Sequence, residues 1–598
     1  MPTAPAIPTP HTLRDRLRPE LPRLAAGVVA LVATNALALS IPRLLKNAID
    51  VLRGADVSAR DVVVRDAILI AVFAVLQGVI RTASRVYIFN AGRNIEYTVR
   101  RDLFAHLLRH DAAFFRRHAT GDVMSRLTND LGAVRMVFGP GLLNLFNTTI
   151  IYIGTMWQLI ALSPRLTLYA LLPYPVLLVC ARLSGRVMYR ASRDIQDQLG
   201  KMSTSIQEDL AGMSVVKLYA LEEQRHRRFR ILNDDYLEKT LRLVRGRGAL
   251  GPLFAMLGGA GTLIVLWAGG RDVIAGRMTI GALVAFNAYV VQLSWPTIAL
   301  GWIIGIWQRG IAGWARVREM LEMVPTIRDL PGVVAPAAPL KPEIEVRDLR
   351  IAIGERALLD GVSFTVPAGT TLAIVGRTGS GKTTLVDALV RLQDVAPGTV
   401  RVGGHDATAL PLGTLRALFG YAPQDAFLFS ATVAENIGFG AGYTSAQDGA
   451  AAAERARIVR AAEAAGLAPD ITVLPDGYDT LVGERGITLS GGQRQRVALA
   501  RALAADPQIL ILDDSLSSVD AQTEREILTR LRPILRERTS IVVSHRVAAV
   551  KEADQILVLD AGRVAERGTH GELLAAGGLY ASLYQEQFAA ESLGEEAA

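Results

Sequence analysis

Six long apolar stretches, near residues 24–44, 67–90, 137–161, 166–186, 248–270 and 278–307, are each near or above the roughly 20 residues that carry a helix across hydrocarbon. Six crossings return the chain to its starting side. The connections alternate: 162–165 and 271–277 are short, whereas 91–136 and 187–247 are long and rich in Arg. Arg and Lys close to membrane helices favour the cytoplasmic face. With Arg14, Arg16 and Arg18 they place both long connections and the N-terminus in the cytoplasm. Residues 1–20 carry Pro, Arg and Glu, and no small-residue cleavage pattern precedes the apolar run that starts near Leu24, so no secretory signal is expected. The net charge of +8 needs no nucleic acid partner, because Arg-rich cytoplasmic loops of a membrane protein account for it.

The two long connections keep helical apolar spacing with few breakers over Asn94 to His110 and Arg186 to Leu210, so the membrane helices are expected to continue far into the cytoplasm. Gly121 and Gly212 stand near the expected reversals, each leaving a short connecting helix placed to touch another domain. Within the spans lie Arg81, Arg85, Asn144, Asn147, Asn287 and Gln292, and polar groups facing lipid are costly. Some of these should face a cavity; Arg81 and Arg85 either do so or snorkel toward the inner leaflet. Trp295, Trp302, Trp307 and Trp314 fit an interfacial belt or packing better than an aromatic ligand site. The single cysteine, Cys180, has no second thiol, which removes intrachain disulfides and cysteine-based metal sites.

The chain's 598 residues exceed what one core can organise. Residues 1–325 read as a transmembrane domain, 326–342 as a Pro- and Ala-rich linker, and 343–598 as a domain with charges spread throughout. In the last of these the apolar run Thr371 to Val375 predicts a buried strand. Gly376, Arg377, Thr378, Gly379, Ser380, Gly381, Lys382 and Thr383 follow, and then a helix is expected over Thr384 to Leu392. This is a phosphate-binding loop in its strand–loop–helix setting. Glycines let backbone N–H groups converge on phosphate oxygens, the helix N-terminus adds partial positive charge, Lys382 reaches the outer phosphates and Thr383 ligates magnesium. A second expected strand, Ile509 to Leu512, ends in Asp513 and Asp514, the position at which an acid holds Mg2+ and its neighbour polarises water.

Leu489-Ser-Gly-Gly-Gln-Arg-Gln-Arg496 resembles the signature motif of ATP-binding-cassette proteins. Gln424 in Tyr-Ala-Pro-Gln-Asp resembles the Q-loop, Ser517 to Asp520 the D-loop, His545 the switch histidine, and Thr480 to Gly486 a segment typical of exporters. Phe114, Phe115, Gly121, Arg126 and Asp130, together with Gly212 to Glu222, resemble the two cytoplasmic loops of that group. The resemblance covers nearly the whole chain and is to half-transporters of the multidrug and lipid exporter group. It implies an all-α six-helix transmembrane domain followed by an α/β P-loop ATPase with a helical subdomain, multi-pass in a bacterial inner (cytoplasmic) membrane. It further implies that two ATPase domains sandwich ATP head to tail. Lys382, Thr383, Thr384, Gln424, Asp513, Asp514 and His545 then serve the chain's own site, while Ser490, Gly491, Gly492 and Gln493 contact ATP held by a second half-transporter.

Two positions depart from the family pattern. Asp514 stands where the family carries a glutamate that activates water; one methylene fewer leaves its carboxylate roughly 1 Å short, a displacement that can cost about a hundredfold in rate. Ile353 stands where an aromatic ring is expected against adenine, and supplies apolar contact without a π-face. A weakened site beside an intact signature motif resembles one half of a heterodimer with unequal ATP sites; a homodimer with two slow sites is the alternative. Inward transport and ATP-gated regulation are the remaining alternatives, and fold-level similarity does not choose the cargo among drugs, lipids, peptides and siderophores.

Overall fold

A computed structural model describes residues 13–52, 58–441, 451–483, 486, 488–546 and 550–586. The chain forms two compact units. One comprises residues 1–106 and 121–323, the other residues 107–120 and 324–598.

The first unit is helical. Leu21–Leu52, Ser58–Leu107 and Leu142–Leu162 carry the first three expected spans, and the helical runs that contain them are long and apolar enough to cross a membrane. The fourth and sixth spans are not single rods as the sequence suggested. The fourth is interrupted at Leu172, between Pro164–Leu171 and Pro173–Ala211, and the sixth at Leu293, between Ile280–Gln292 and Ser294–Glu322. Proline explains both, since it lacks the N–H that would reach back four residues. Pro173 leaves the Tyr169 carbonyl to Leu172 N, which tightens the turn at 3.3 Å; Pro296 withdraws the N–H due to the Gln292 carbonyl, and the turn before it is tightened by Leu293 N bonding Val290 O at 3.2 Å. The fifth span lies in Glu222–Ile274, a helix of 53 residues. As expected from their periodicity, the long connections are mostly continuations of these rods, with Ser58–Leu107 running 50 residues and Pro173–Ala211 running 39.

The reversals are sharper than the glycines alone implied. Gly212 caps Pro173–Ala211 and leads into the short helix Met213–Leu218. Gly121, by contrast, lies in the first turn of the helix that starts at Thr120. The first reversal instead surrounds Ala112–Arg117, whose N-cap, Asp111, accepts a hydrogen bond from Phe114 N at 2.8 Å. This helix belongs to the second unit, and its Phe114 is stacked between His110 and His118.

Within the first unit, Arg126 and Asp130 are buried and join the last membrane helix to the helical run after Thr120. Arg126 donates to Arg316 O at 2.9 Å and to Glu319 at 3.1 Å, and Arg316 Nε donates to Asp130 at 2.8 Å. Small residues permit the approach: a Cβ at Gly310 would overlap Val137, and one at Gly313 would stand 3.0 Å from Asp130 O. Of the intramembrane polar groups, Asn147 accepts from Asn35 at 3.1 Å and Asn144 donates to Pro140 O at 2.8 Å, while Arg81 and Arg85 are exposed on the isolated chain. The side chain of Trp295 lies outside the described residues.

The second unit is built on two sheets. Strands β1 (Ile344–Ile353), β2 (Arg356–Val366), β4 (Val400–Val402) and β5 (His405–Asp406) form an antiparallel sheet in the order β2-β1-β4-β5. A six-stranded sheet runs β10-β9-β3-β8-β7-β6, with β3 (Thr371–Gly376), β6 (Phe419–Ala422), β7 (Ile509–Asp513), β8 (Thr539–Val543), β9 (Gln555–Asp560) and β10 (Arg563–Gly568). Its central pairings are parallel and only β9–β10 is antiparallel. Alternate residues feed two cores. Leu372, Ile374, Ile509, Ile511, Ile541 and Val543 pack with Leu385, Val386 and Leu389 of the helix Lys382–Leu389. Ala373, Val375, Leu510, Leu512 and Val542 pack with Val497, Leu499 and Leu503 of the helix Gly491–Ala504. That first helix is shorter than the expected Thr384 to Leu392, because Arg391 adopts φ +51°, a left-handed conformation that ends it.

Gly310→Val is expected to destabilise the membrane unit by about 2 kcal/mol through overpacking against Val137. Gly301→Ala, which meets open space, should leave the melting temperature in detergent unchanged.

Candidate functional site

The P-loop is shaped by three glycines in conformations closed to other residues: Gly376 at φ +154°, Gly379 at +82° and Gly381 at +100°. Space adds a second restriction. A Cβ at Gly376 would run into the Leu559 carbonyl oxygen, and one at Gly381 would meet Leu358 O and the Leu359 side chain at 2.8 Å. The loop is thus wedged between β9 and β2. Lys382 opens the following helix, is buried, and donates from Nζ to Gly376 O at 2.8 Å and Arg377 O at 3.0 Å. Burial holds its ammonium below the ordinary lysine value, with Asp514 and Asp513 opposing. The ammonium therefore closes over the loop whose backbone is suited to phosphate oxygens.

Asp513 ends β7 on the face covered by the P-loop helix, in register with Ile509 and Ile511. It is 1 % exposed, and burial pushes its carboxyl up to about 6, against hydrogen bonds from Thr383 and Tyr421 that pull it down. A buried carboxylate joined to a threonine hydroxyl is a hard oxygen pair that fits Mg2+, an ion that keeps several waters and takes few protein ligands. Among the described residues there is no cluster of three His, Cys, Asp or Glu side chains that would suit a metal held by protein alone. Asp514 follows at φ +44°, its N–H bonded to Val543 O at 2.8 Å. Its Oδ2 lies 3.4 Å from Gln424 Nε2, so the glutamine amide is turned to Asp514. His545 comes after β8; burial first and the Lys382 charge second hold its imidazole below the ordinary value, while Asp514 opposes them.

The structure thus gathers the P-loop, Asp513, Asp514, Gln424 and His545 at the carboxyl ends of β3, β7, β6 and β8. Ser490–Gln493 form a separate place. Ser490 caps the helix Gly491–Ala504 by accepting from Gln493 N at 3.2 Å, and Gln493 Oε1 accepts from Ser490 N at 2.8 Å. Gln493 Nε2 is spent on Asp470 at 3.0 Å. Among the described residues no hydrogen bond joins Ser490–Gln493 to the chain's own P-loop. Ile353, at the end of β1, is 58 % exposed beside the hairpin to Arg356. Of the exporter-type segment Thr480 to Gly486, residues 484 and 485 lie outside the described residues.

Three groups escaped the sequence reading. Gln495 is buried; its amide donates to Ser517 Oγ at 2.9 Å and its Oε1 accepts from Ser518 N at 2.8 Å, tying the signature helix to the segment after Asp514. Arg546, next to His545, pairs with the buried Glu524 and donates to Val519 O at 3.3 Å. Tyr421 donates to Asp387 Oδ1 at 3.1 Å. Burial raises the Asp387 carboxyl, with the Tyr421 hydrogen bond and the charge of Arg116 opposing. Only for Gln495 was there a signal, its place two residues after Gln493 on the face turned inward.

Residues 24–297 match the family model described as the ABC transporter transmembrane region, and residues 359–517 the model described as ABC transporter. A probable multidrug resistance ABC transporter ATP-binding/permease protein of Bacillus subtilis is 36% identical over 96% of this chain and 97% of its own length. A multidrug resistance-like ATP-binding protein of Escherichia coli is 33% identical over 95% of both chains. An ATP-dependent lipid A-core flippase of Syntrophus aciditrophicus is 31% identical over 97% of this chain and 94% of its own. Among solved structures, a bacterial Atm1-family ABC exporter with ATP bound superposes with a TM-score of 0.76 at 28% identity, over 96% of this chain and 99% of that one.

Gln495→Ala is expected to lower stability by about 1 kcal/mol, since it removes the two part-buried hydrogen bonds to Ser517 Oγ and Ser518 N, groups that water can reach once the amide is gone. Thermal unfolding of the purified chain measures it, with the exposed Arg525→Ala as reference.

Proposed function

The chain belongs to the ATP-binding-cassette transporters, and from that premise we propose that it is one half of a heterodimeric exporter whose own ATP site is the slower of two. It is a membrane-spanning ATPase coupled to transport, with the fold of an exporter. The observation that carries the pairing is the separation of Ser490–Gln493 from the P-loop of the same chain. A capped helix N-terminus with glycines at its first turn suits a phosphate, and a second cassette is where one would come from. The helix Met213–Leu218 supports the same reading, for Val215 and Leu218 are 51 % and 76 % exposed and offer apolar surface to a partner.

In this proposal Gly376 to Thr384 bind the chain's own ATP, Lys382 neutralises its outer phosphates, and Ile353 lies along the base. Thr383, Gln424 and Asp513 would hold Mg2+, which supplies charge neutralisation on the phosphate oxygens. Asp514 orients water, with His545 facing the terminal phosphate. The short side chain of Asp514, already engaged by Gln424 at 3.4 Å, supports slow turnover. Closure of the two cassettes on ATP turns the membrane cavity outward and hydrolysis resets it. Relatives named for multidrug resistance and for lipid A-core flipping support amphiphilic cargo, moved across a bacterial inner membrane with the cassette on the cytoplasmic side.

Magnesium-dependent ATP hydrolysis by the chain alone in nanodiscs, with Asp514→Glu beside it, tests the pairing. Near-inactive protein that Asp514→Glu does not restore is the expected result; brisk turnover by a dimer of this chain would make it a homodimeric pump. A pH prediction follows from Asp513, whose carboxyl sits up at about 6 when no metal is bound. Below that value the carboxylate is protonated and unable to ligate, so the Mg2+-dependent gain in ATP affinity should shrink about tenfold between pH 7 and pH 5. Asp513→Asn should abolish that dependence.

A further inference from the structure

Tyr421 stands between two carboxylates, in a place the nucleotide motifs do not explain. It lies on β6 in register with Ile511, so its side chain leaves the sheet on the same face as Asp513. Its hydroxyl donates to Asp387 Oδ1 at 3.1 Å and lies 3.4 Å from Asp513 Oδ2. Asp387 is one turn beyond Thr383 on the P-loop helix, so both project toward the end of β7. A phenol has one hydrogen, so Tyr421 shares it between the two carboxylates, closer to Asp387 than to Asp513.

We propose that Tyr421 and Asp387 are positioning residues for Asp513: Asp387 fixes the Tyr421 hydroxyl, and that hydroxyl fixes the rotamer in which Asp513 presents its carboxylate to magnesium. Hydrogen bonds behind a metal ligand set its orientation, and their loss commonly weakens metal binding by one to two orders of magnitude. The charge of Arg116 on the Ala112–Arg117 helix also favours the ionised Asp387 carboxyl, against the effect of burial.

The inference rests on the reading of Asp513 as a magnesium ligand. Binding of trinitrophenyl-ATP to the full chain in nanodiscs, titrated with MgCl2, separates the two. Asp513→Asn should remove the magnesium-dependent increment; if it does not, the ligand reading itself fails. Tyr421→Phe keeps the ring and is expected to raise the half-saturating magnesium concentration about tenfold, with metal-free nucleotide binding unchanged and the melting temperature lowered by no more than the few degrees a lost hydrogen bond costs. Asp387→Asn retains an oxygen acceptor and should raise it less than Asp387→Ala. Asp513→Asn acting while Tyr421→Phe titrates like the parent chain overturns the proposal. So does a Tyr421→Phe chain that loses metal-free binding and melting temperature together, which would mark a structural role alone.

Discussion

The parallel strands β3, β7 and β8, buried on both faces, are the constraint on which the ATPase unit depends. Because side chains alternate, one set of aliphatic residues seats the P-loop helix and the other seats the signature helix. A one-residue slip of β7 would exchange the two sets and turn Asp513 away from Thr383. The same register that builds the cores therefore aims the acid. Carboxyl ends of the strands collect Asp513, Asp514, Gln424 and His545 without any of them being near in sequence to the P-loop.

In the membrane unit the ruling constraint is backbone hydrogen bonding, since hydrocarbon offers no substitute for a lost partner. Long unbroken helices meet it directly. At Pro173 the preceding residue takes the freed carbonyl, ahead of Pro296 the turn at Leu293 tightens, and each crossing continues. Arg126 and Asp130 then hold the last membrane helix by contacts to Arg316 and Glu319, with Gly310 and Gly313 allowing the helices to touch.

The site itself is under tension between burial and charge. Lys382 and Asp513 are buried and each is displaced toward its neutral form, which a triphosphate and a divalent cation would reverse. Asp514 and Gln424 are occupied with each other. Gln495 and Arg546 brace the segment between Asp514 and Asp520 from two sides, one from the signature helix and one from the stretch after β8.

Much of this was legible in the residues. Apolar runs of membrane length, the glycine spacing before Lys382 and the apolar strand before Asp513 are local patterns, each forced by a physical need confined to a short window. Tertiary structure decided what depends on partners distant in sequence. Pro42 and Pro252 sit inside continuous helices whereas Pro173 and Pro296 mark interruptions, because what satisfies a freed carbonyl depends on the surrounding packing. Gly121 fell inside a helix because the Asp111 cap and the His110–Phe114–His118 stack made the reversal without it. Tyr421, Asp387 and Gln495 became site residues only when β6, the P-loop helix and the signature helix were laid against β7, since no periodicity in one segment records which polar atom will stand opposite it in another.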